Sequence, residues 1–86
     1  MRNVKILYFA WLRERTGLGE ENVDLPDTIA TVGDLLQWLR ARNDAFASAL
    51  EFPDIIRVAL DQEHADHNEE IGPAKEIALF PPMTGG

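Results

Sequence analysis

Side chains that usually do chemistry are scarce in this 86-residue chain. Cysteine is absent, which removes thiolate nucleophiles, disulfides and cysteine-based zinc or iron–sulfur sites together. The single serine, Ser48, has no base near it in sequence. His64 and His67 stand three residues apart among Asp61, Glu63, Asp66 and Glu69, and imidazole combined with carboxylate suits zinc or nickel. The same stretch also reads as a solvated, charge-rich loop, with loose intervals and no apolar shell, so no metal is expected there. None of the carboxylates stands alone in an apolar run where burial would raise its pKa for acid–base work. No Gly-rich loop joins a strand to a helix to hold a phosphate. This inventory does not describe an enzyme acting alone.

The end of the chain is different: Phe80-Pro81-Pro82-Met83-Thr84-Gly85-Gly86. Two successive prolines after a strand hold the backbone extended, so the residues beyond them leave the body in a set direction. From Pro82 to Gly86 the arm reaches about 15 Å, at roughly 3.3 Å per residue. Two glycines make its tip slender, with no Cβ to block a narrow channel and an α-carboxylate open on both sides. The chemistry open to such a tip is activation of the Gly86 carboxylate inside another protein. Terminal glycines also occur as frayed ends. Here they coincide with the prolines, with a chain that stops at Gly86, and with a compatible order of elements. The expected organisation is a body over residues 1–81 and an extended tail over 82–86.

The elements that must position this tail can be read from residue periodicity. Val4 to Phe9 is a strand with apolar residues on both faces, Val4, Ile6 and Tyr8 against Lys5, Leu7 and Phe9. Such a strand is either covered on both sides or offers one face to a partner. Ala10 to Thr16 uses helix formers and is closed by Gly17. Glu21 to Leu25 reads as an edge strand stopped by Pro26. Thr31 with Asp34 forms a helix-capping signal, and Val32, Leu35, Leu36 and Leu39 place one apolar stripe behind it, while Asp34, Gln37, Arg40 and Arg42 face water. Ala45 to Leu50 is a short helix capped by Asn43 or Asp44 and ended by Pro53. Ile55 to Leu60 is a strand, Asp61 to Asn68 a hairpin or exposed loop, and Lys75 to Phe80 the last strand, ended by Pro81-Pro82. The predicted fold class is α+β: one mixed sheet with a main helix packed across it. Ubiquitin-like β-grasp domains share this order, as in part do ferredoxin-like folds.

Eight basic against 15 acidic residues give a net charge of −7, which opposes binding to a phosphate backbone, so no nucleic-acid partner is expected. A hydrophobic content of 45% fits a folded domain rather than a disordered one. No run approaches the roughly 20 apolar residues that span a bilayer, and the start runs directly into a strand, so the expected location is cytoplasmic, without a membrane partner.

The opening Val4-Lys5-Ile6-Leu7-Tyr8-Phe9-Ala10, the turn Arg13-Glu14-Arg15-Thr16-Gly17 and the ending Phe-Pro-Pro-x-x-Gly-Gly resemble the small, sulfur-carrying subunits of molybdopterin synthase, a ubiquitin-like family. The resemblance covers essentially the whole chain, and the ending matches at every fixed position. It implies that an activating enzyme of the ubiquitin-activating type adenylates the Gly86 carboxylate with ATP, and that a sulfur donor displaces AMP to leave a thiocarboxylate. The tail then enters the large catalytic subunit, in a heterotetramer, and gives its sulfur to a cyclic pterin precursor to build the dithiolene that later holds molybdenum. By the same resemblance Gly86 carries the reactive group and Gly85 gives clearance. No bound cofactor is implied, and the acid, base and substrate-binding groups belong to the other subunit. The resemblance further implies that Phe9 and Phe80 contact the large subunit, with Leu7 and Ala78 bordering the patch and Pro81, Pro82, Met83 and Thr84 leading into it. His64 lies at its edge, where the family more usually has an apolar residue. Ordinary core packing is the alternative for the two phenylalanines. The six acids against one base between Asp61 and Glu76 suit a basic rim on a partner, or plain solvated surface.

Two other readings use the same residues: a sulfur carrier of another pathway such as thiamine thiazole synthesis, or a ubiquitin-like modifier joined to lysines through Gly86. A β-grasp interaction module whose tail is never activated is the third.

Overall fold

The computed structural model describes residues 2–82. Strand β1 (Arg2–Tyr8) pairs antiparallel with β2 (Glu20–Leu25) and parallel with β5 (Glu76–Phe80), and β5 pairs antiparallel with β3 (Arg57–Leu60), which carries the short β4 (Glu63–Ala65). The sheet order is β2-β1-β5-β3-β4, with β2 at the edge as its weak alternation implied. The strands before and after the main helix, β2 and β3, run the same way because each is antiparallel to one of the parallel central pair. That long crossover over a mixed sheet is the β-grasp arrangement.

The main helix, α2 (Val32–Arg40), begins where the sequence places it. Thr31 Oγ1 accepts the Asp34 N–H at 3.1 Å, and the Asp34 carboxylate accepts the N–H groups of Thr31 and Ala30, so orphan donors of the first turn are satisfied in both directions. The Thr31 N–H, then that of Ala30, hold the Asp34 carboxyl below the usual carboxylate range. Val32, Leu35, Leu36 and Leu39 are all at most 1% exposed, so the whole predicted stripe is core. Opposite it lie Val4, Ile6, Tyr8, Leu25, Val58, Ile77 and Leu79, the inward set of each strand. Each such side chain contributes roughly 1.5–3 kcal/mol by leaving water.

Several boundaries differ from the sequence expectation for local reasons. The first strand ends at Tyr8, because Ala10 turns the chain with φ 53°, and helix α1 (Trp11–Thr16) starts one residue later than Ala10. Helix α3 (Asp44–Ala49) is capped by Asn43, whose side chain accepts the Phe46 N–H at 2.9 Å. It stops at Leu50, before Pro53, and Pro53–Ile55 instead forms a 3₁₀ turn that delays β3 to Arg57. Proline's fixed φ suits the first position of such a turn better than a strand. The polar stretch after Leu60 is a hairpin: Asp61 and Gln62 both take positive φ, 48° and 73°, and link β3 to β4. The Asp61 carboxylate accepts the N–H groups of Lys75 and Glu76 at 3.0 Å each, tying this turn to the start of β5.

Candidate functional site

The register places one continuous row across the face of the sheet turned away from α2. Leu7 stands beside Ala78, Ala78 beside Ala59, and Ala59 beside His64. Glu20 closes the row on the other side, opposite Leu7. Its middle is apolar, with Ala78 buried at 5% exposure and Leu7 half-buried. Phe80 lies one step along the same face opposite Arg57, and Phe9, just past β1, stacks on it with ring centroids 4.6 Å apart and planes at 8°. Phe9 keeps 41% of its surface exposed, whereas a core phenylalanine such as Phe46 keeps 3%. The two faces of β1 have therefore separated, Val4, Ile6 and Tyr8 into the core and Leu7 with Phe9 onto the open side.

Phe80 ends β5, Pro81 is buried and Pro82 half-buried, so the described chain leaves the sheet next to the stacked rings. Beside Pro82 runs a groove of about 450 Å³ bordered by Ile55, Arg57, His64 and His67. Met83, Thr84, Gly85 and Gly86, which hold the expected reactive end, lie outside the described residues. The open face and the exit at Pro82 thus bring together Leu7, Phe9, Phe80, Pro81 and Pro82.

The two histidines border the same groove but have different partners. His64 is exposed at the sheet edge, with Nε2 3.8 Å from the Asp66 carboxylate. His67 donates from Nε2 to the Ile56 carbonyl at 2.7 Å. Among the described residues no three His, Asp or Glu side chains converge as a metal centre would require.

Sequence reading missed a polar latch behind the patch. Tyr8 donates its hydroxyl to Glu21 at 2.5 Å, and Arg42 grips the same carboxylate with two bonds, at 2.6 and 3.1 Å. Helical periodicity points Arg42 toward water, but it lies past the end of α2 and folds back over the rings of Phe46 and Trp38. Burial on its own raises Glu21, yet the hydrogen bonds from Arg42 and Tyr8 outweigh it and hold the carboxyl below its ordinary value. Burial, then the Glu21 bond, push the Tyr8 hydroxyl upward. The latch joins β1 and β2 to the segment between α2 and α3, and so braces the strand whose other face carries Leu7. The apolar surroundings of Tyr8 were its one sequence signal, since a buried phenol needs an acceptor.

Similarity to known proteins agrees with this geometry. The chain is 35% identical over 85 residues to the molybdopterin synthase sulfur carrier subunit of Escherichia coli (strain K12), covering 96% of this chain and 99% of that one. It is 39% identical over 83 residues to small archaeal modifier protein 1 of Haloferax volcanii, covering 91% and 94%. The crystal structure of the H. volcanii protein superimposes with a TM-score of 0.72, at 34% identity in the structural alignment, over 99% of this chain and all of that one. The profile of the ThiS family matches residues 6–86, from inside β1 through the Gly-Gly end. Full-length similarity, a β-grasp sheet and a Phe-Pro-Pro exit beside an apolar open face meet in one molecule, and the chain belongs to the ThiS family.

Proposed function

We propose that this chain is the sulfur-carrier subunit of a molybdopterin synthase, and that its working group is the carboxyl of Gly86. The observation that carries this reading is the junction of the stacked Phe9–Phe80 pair with the Pro81-Pro82 exit, a docking surface placed at the root of a Gly-Gly tail. In the first step an adenylating enzyme of the ubiquitin-activating type joins the Gly86 carboxylate to AMP, and ATP loses pyrophosphate. A sulfide-level donor then attacks the acyl carbon and AMP leaves, giving the thiocarboxylate directly; a persulfide donor would give an acyl disulfide first, from which a second thiol releases the thiocarboxylate by forming a disulfide with the donor's sulfur. In the large catalytic subunit the thiocarboxylate sulfur forms a carbon–sulfur bond to the cyclic pterin precursor, and hydrolysis returns the Gly86 carboxylate. This chain's own residues dock and aim the tail: Leu7, Phe9 and Phe80 by apolar contact, Pro81 to Thr84 by leading it, Gly85 by leaving room. His64 sits at the rim of that contact, and Gly86 carries the sulfur. Bound cofactors have no part in this scheme.

The test is single-turnover transfer. Thiocarboxylated chain mixed with the cognate large subunit and the cyclic pterin precursor is expected to yield dithiolene product in proportion to sulfur supplied. No product from a correctly thiocarboxylated chain would refute the assignment to this synthase. A second reading, a protein modifier attached through Gly86, is favoured by the similarity to small archaeal modifier protein 1. Conjugates linked to lysines in cell extract, with no thiocarboxylate-dependent pterin product, would select it.

A further inference from the structure

The turn that ends β1 is built on the wrong residue for its shape. Ala10 has φ 53° and ψ −132°, outside the small left-handed helical well that L-residues use at positive φ. The Leu12 N–H donates to the Phe9 carbonyl at 3.1 Å, so Phe9 to Leu12 closes a β-turn with Ala10 at its first central position. A positive φ there followed by helix is the geometry of a type II′ turn, which takes glycine at that place. Asp61 and Gln62 also have positive φ, but they sit in a two-residue hairpin where both central residues are left-handed.

Strain of this kind persists only where surrounding structure enforces it, and Phe9 shows what is enforced here. Its N–H donates to the Leu79 carbonyl of β5 at 3.2 Å, and its own carbonyl is held by Leu12 of α1. The sheet thus fixes one side of Phe9 and the helix fixes the other. Leu12 is fully buried and α1 packs on α3, so the helix end of this clamp is anchored in the core. Ala10 is the joint between the two anchors. Its methyl narrows the dihedral freedom that glycine would have in the same turn. Phe9 lies 41% exposed, and its ring is stacked on that of Phe80.

We propose that Ala10 is a positioning residue: it holds the Phe9 backbone so that the ring lies flat on Phe80 before any partner arrives, at a cost in stability that glycine would avoid. Preorganising an exposed anchor in this way raises affinity by removing the ordering step from association. The proposal deepens the reading of the open face as the carrier's docking surface and rests on it.

Two replacements separate positioning from mere tolerance of strain. Ala10→Gly relieves the turn and frees the joint, whereas Ala10→D-Ala, made by chemical synthesis, relieves the turn and keeps the joint narrow, because positive φ is the ordinary region for a D-residue. Both are expected to raise the melting temperature. Ring-carbon relaxation of Phe9 in the free chain is expected to show a more mobile ring in Ala10→Gly alone. Affinity for the large subunit, by calorimetric titration, is expected to fall on the order of three- to tenfold in Ala10→Gly and to stay at the wild-type value in Ala10→D-Ala. An Ala10→Gly chain with wild-type ring order and affinity overturns the proposal, as does a lower melting temperature in both variants. If the wild-type chain itself does not bind the large subunit, the carrier reading fails, and the ring measurement alone then decides whether Ala10 positions Phe9.

Discussion

Truncating the stacked rings tests whether the open face is a docking surface or part of the core. A fully buried phenylalanine costs about 3–5 kcal/mol when cut to alanine. Phe9 is 41% exposed and is stacked on Phe80. An aromatic pair contributes about 0.5–1.5 kcal/mol beyond area, so Phe9→Ala is expected to cost the fold about 1–2 kcal/mol. For a domain of this size each kcal/mol lowers the melting temperature by about 4–8 °C. Phe46 is the internal standard: it is 3% exposed, meets Tyr8 edge-on at 5.8 Å and lies under Arg42 at 4.6 Å. Phe46→Ala should therefore lose the full 3–5 kcal/mol, a large share of the about 5–15 kcal/mol that holds a typical domain. Against the large subunit the order reverses. An aromatic anchor near an interface centre costs 2 kcal/mol or more, about 30-fold in affinity, so Phe9→Ala and Phe80→Ala should bind far more weakly. Folded Phe46→Ala should bind as wild type. The assays are thermal melts followed by circular dichroism and calorimetric titration with the large subunit. Phe9 and Phe80 are core residues and not docking anchors if Phe9→Ala and Phe80→Ala melt as early as Phe46→Ala and, where folded, bind normally.

The Tyr8–Glu21–Arg42 latch makes part of the stability depend on pH. Glu21 is held below its unfolded value of 4.5, so its contribution is fully present above about pH 4.5 and is lost as pH falls through the folded pKa. Glu21→Gln should flatten the acid limb of a denaturation-versus-pH series, and an unchanged limb would remove the latch from the account. Arg42→Met should cost roughly 1.5–3 kcal/mol at neutral pH, read by urea titration, by leaving the carboxylate without its charged donor. Thr31→Ala should cost about 1 kcal/mol through loss of the α2 cap, with no change in affinity for the large subunit. Gly85→Val adds a β-carbon beside the reacting carbonyl, so adenylation and sulfur transfer should each fall sharply in rate assays while titration shows docking intact; wild-type rates in both steps would rule out a narrow channel for the tail.

What was legible in the sequence depended on whether neighbours in the chain carried the signal. The capping pair Thr31 and Asp34 and the stripe behind it are local, and they appear where expected. The adjacency of Phe9 and Phe80 was legible at one remove, because a β-grasp puts its first and last strands side by side. The start of β3 was misplaced because Ile55 and Ile56 look like strand, while Pro53 two residues earlier fits the 3₁₀ turn. The latch was invisible for another reason: Tyr8, Glu21 and Arg42 are spread over three segments, and an arginine after a helix looks the same whether it meets water or a carboxylate. Nothing in the composition of Phe9-Ala10-Trp11 marks a glycine-type turn, since alanine is the best helix former and pointed to helix at that position.

The central claim is that the Gly86 carboxyl is the group this protein exists to deliver. Intact-mass spectrometry tests it after incubation with ATP, a sulfur donor and a cognate activating enzyme already shown to be active. The expected result is a mass gain equal to replacing one oxygen by sulfur, mapped to Gly86 in the C-terminal peptide, and none in a chain lacking Gly85 and Gly86 that still melts like the wild type. Recovery of only the unmodified mass, with neither adenylate nor thiocarboxylate, would contradict it.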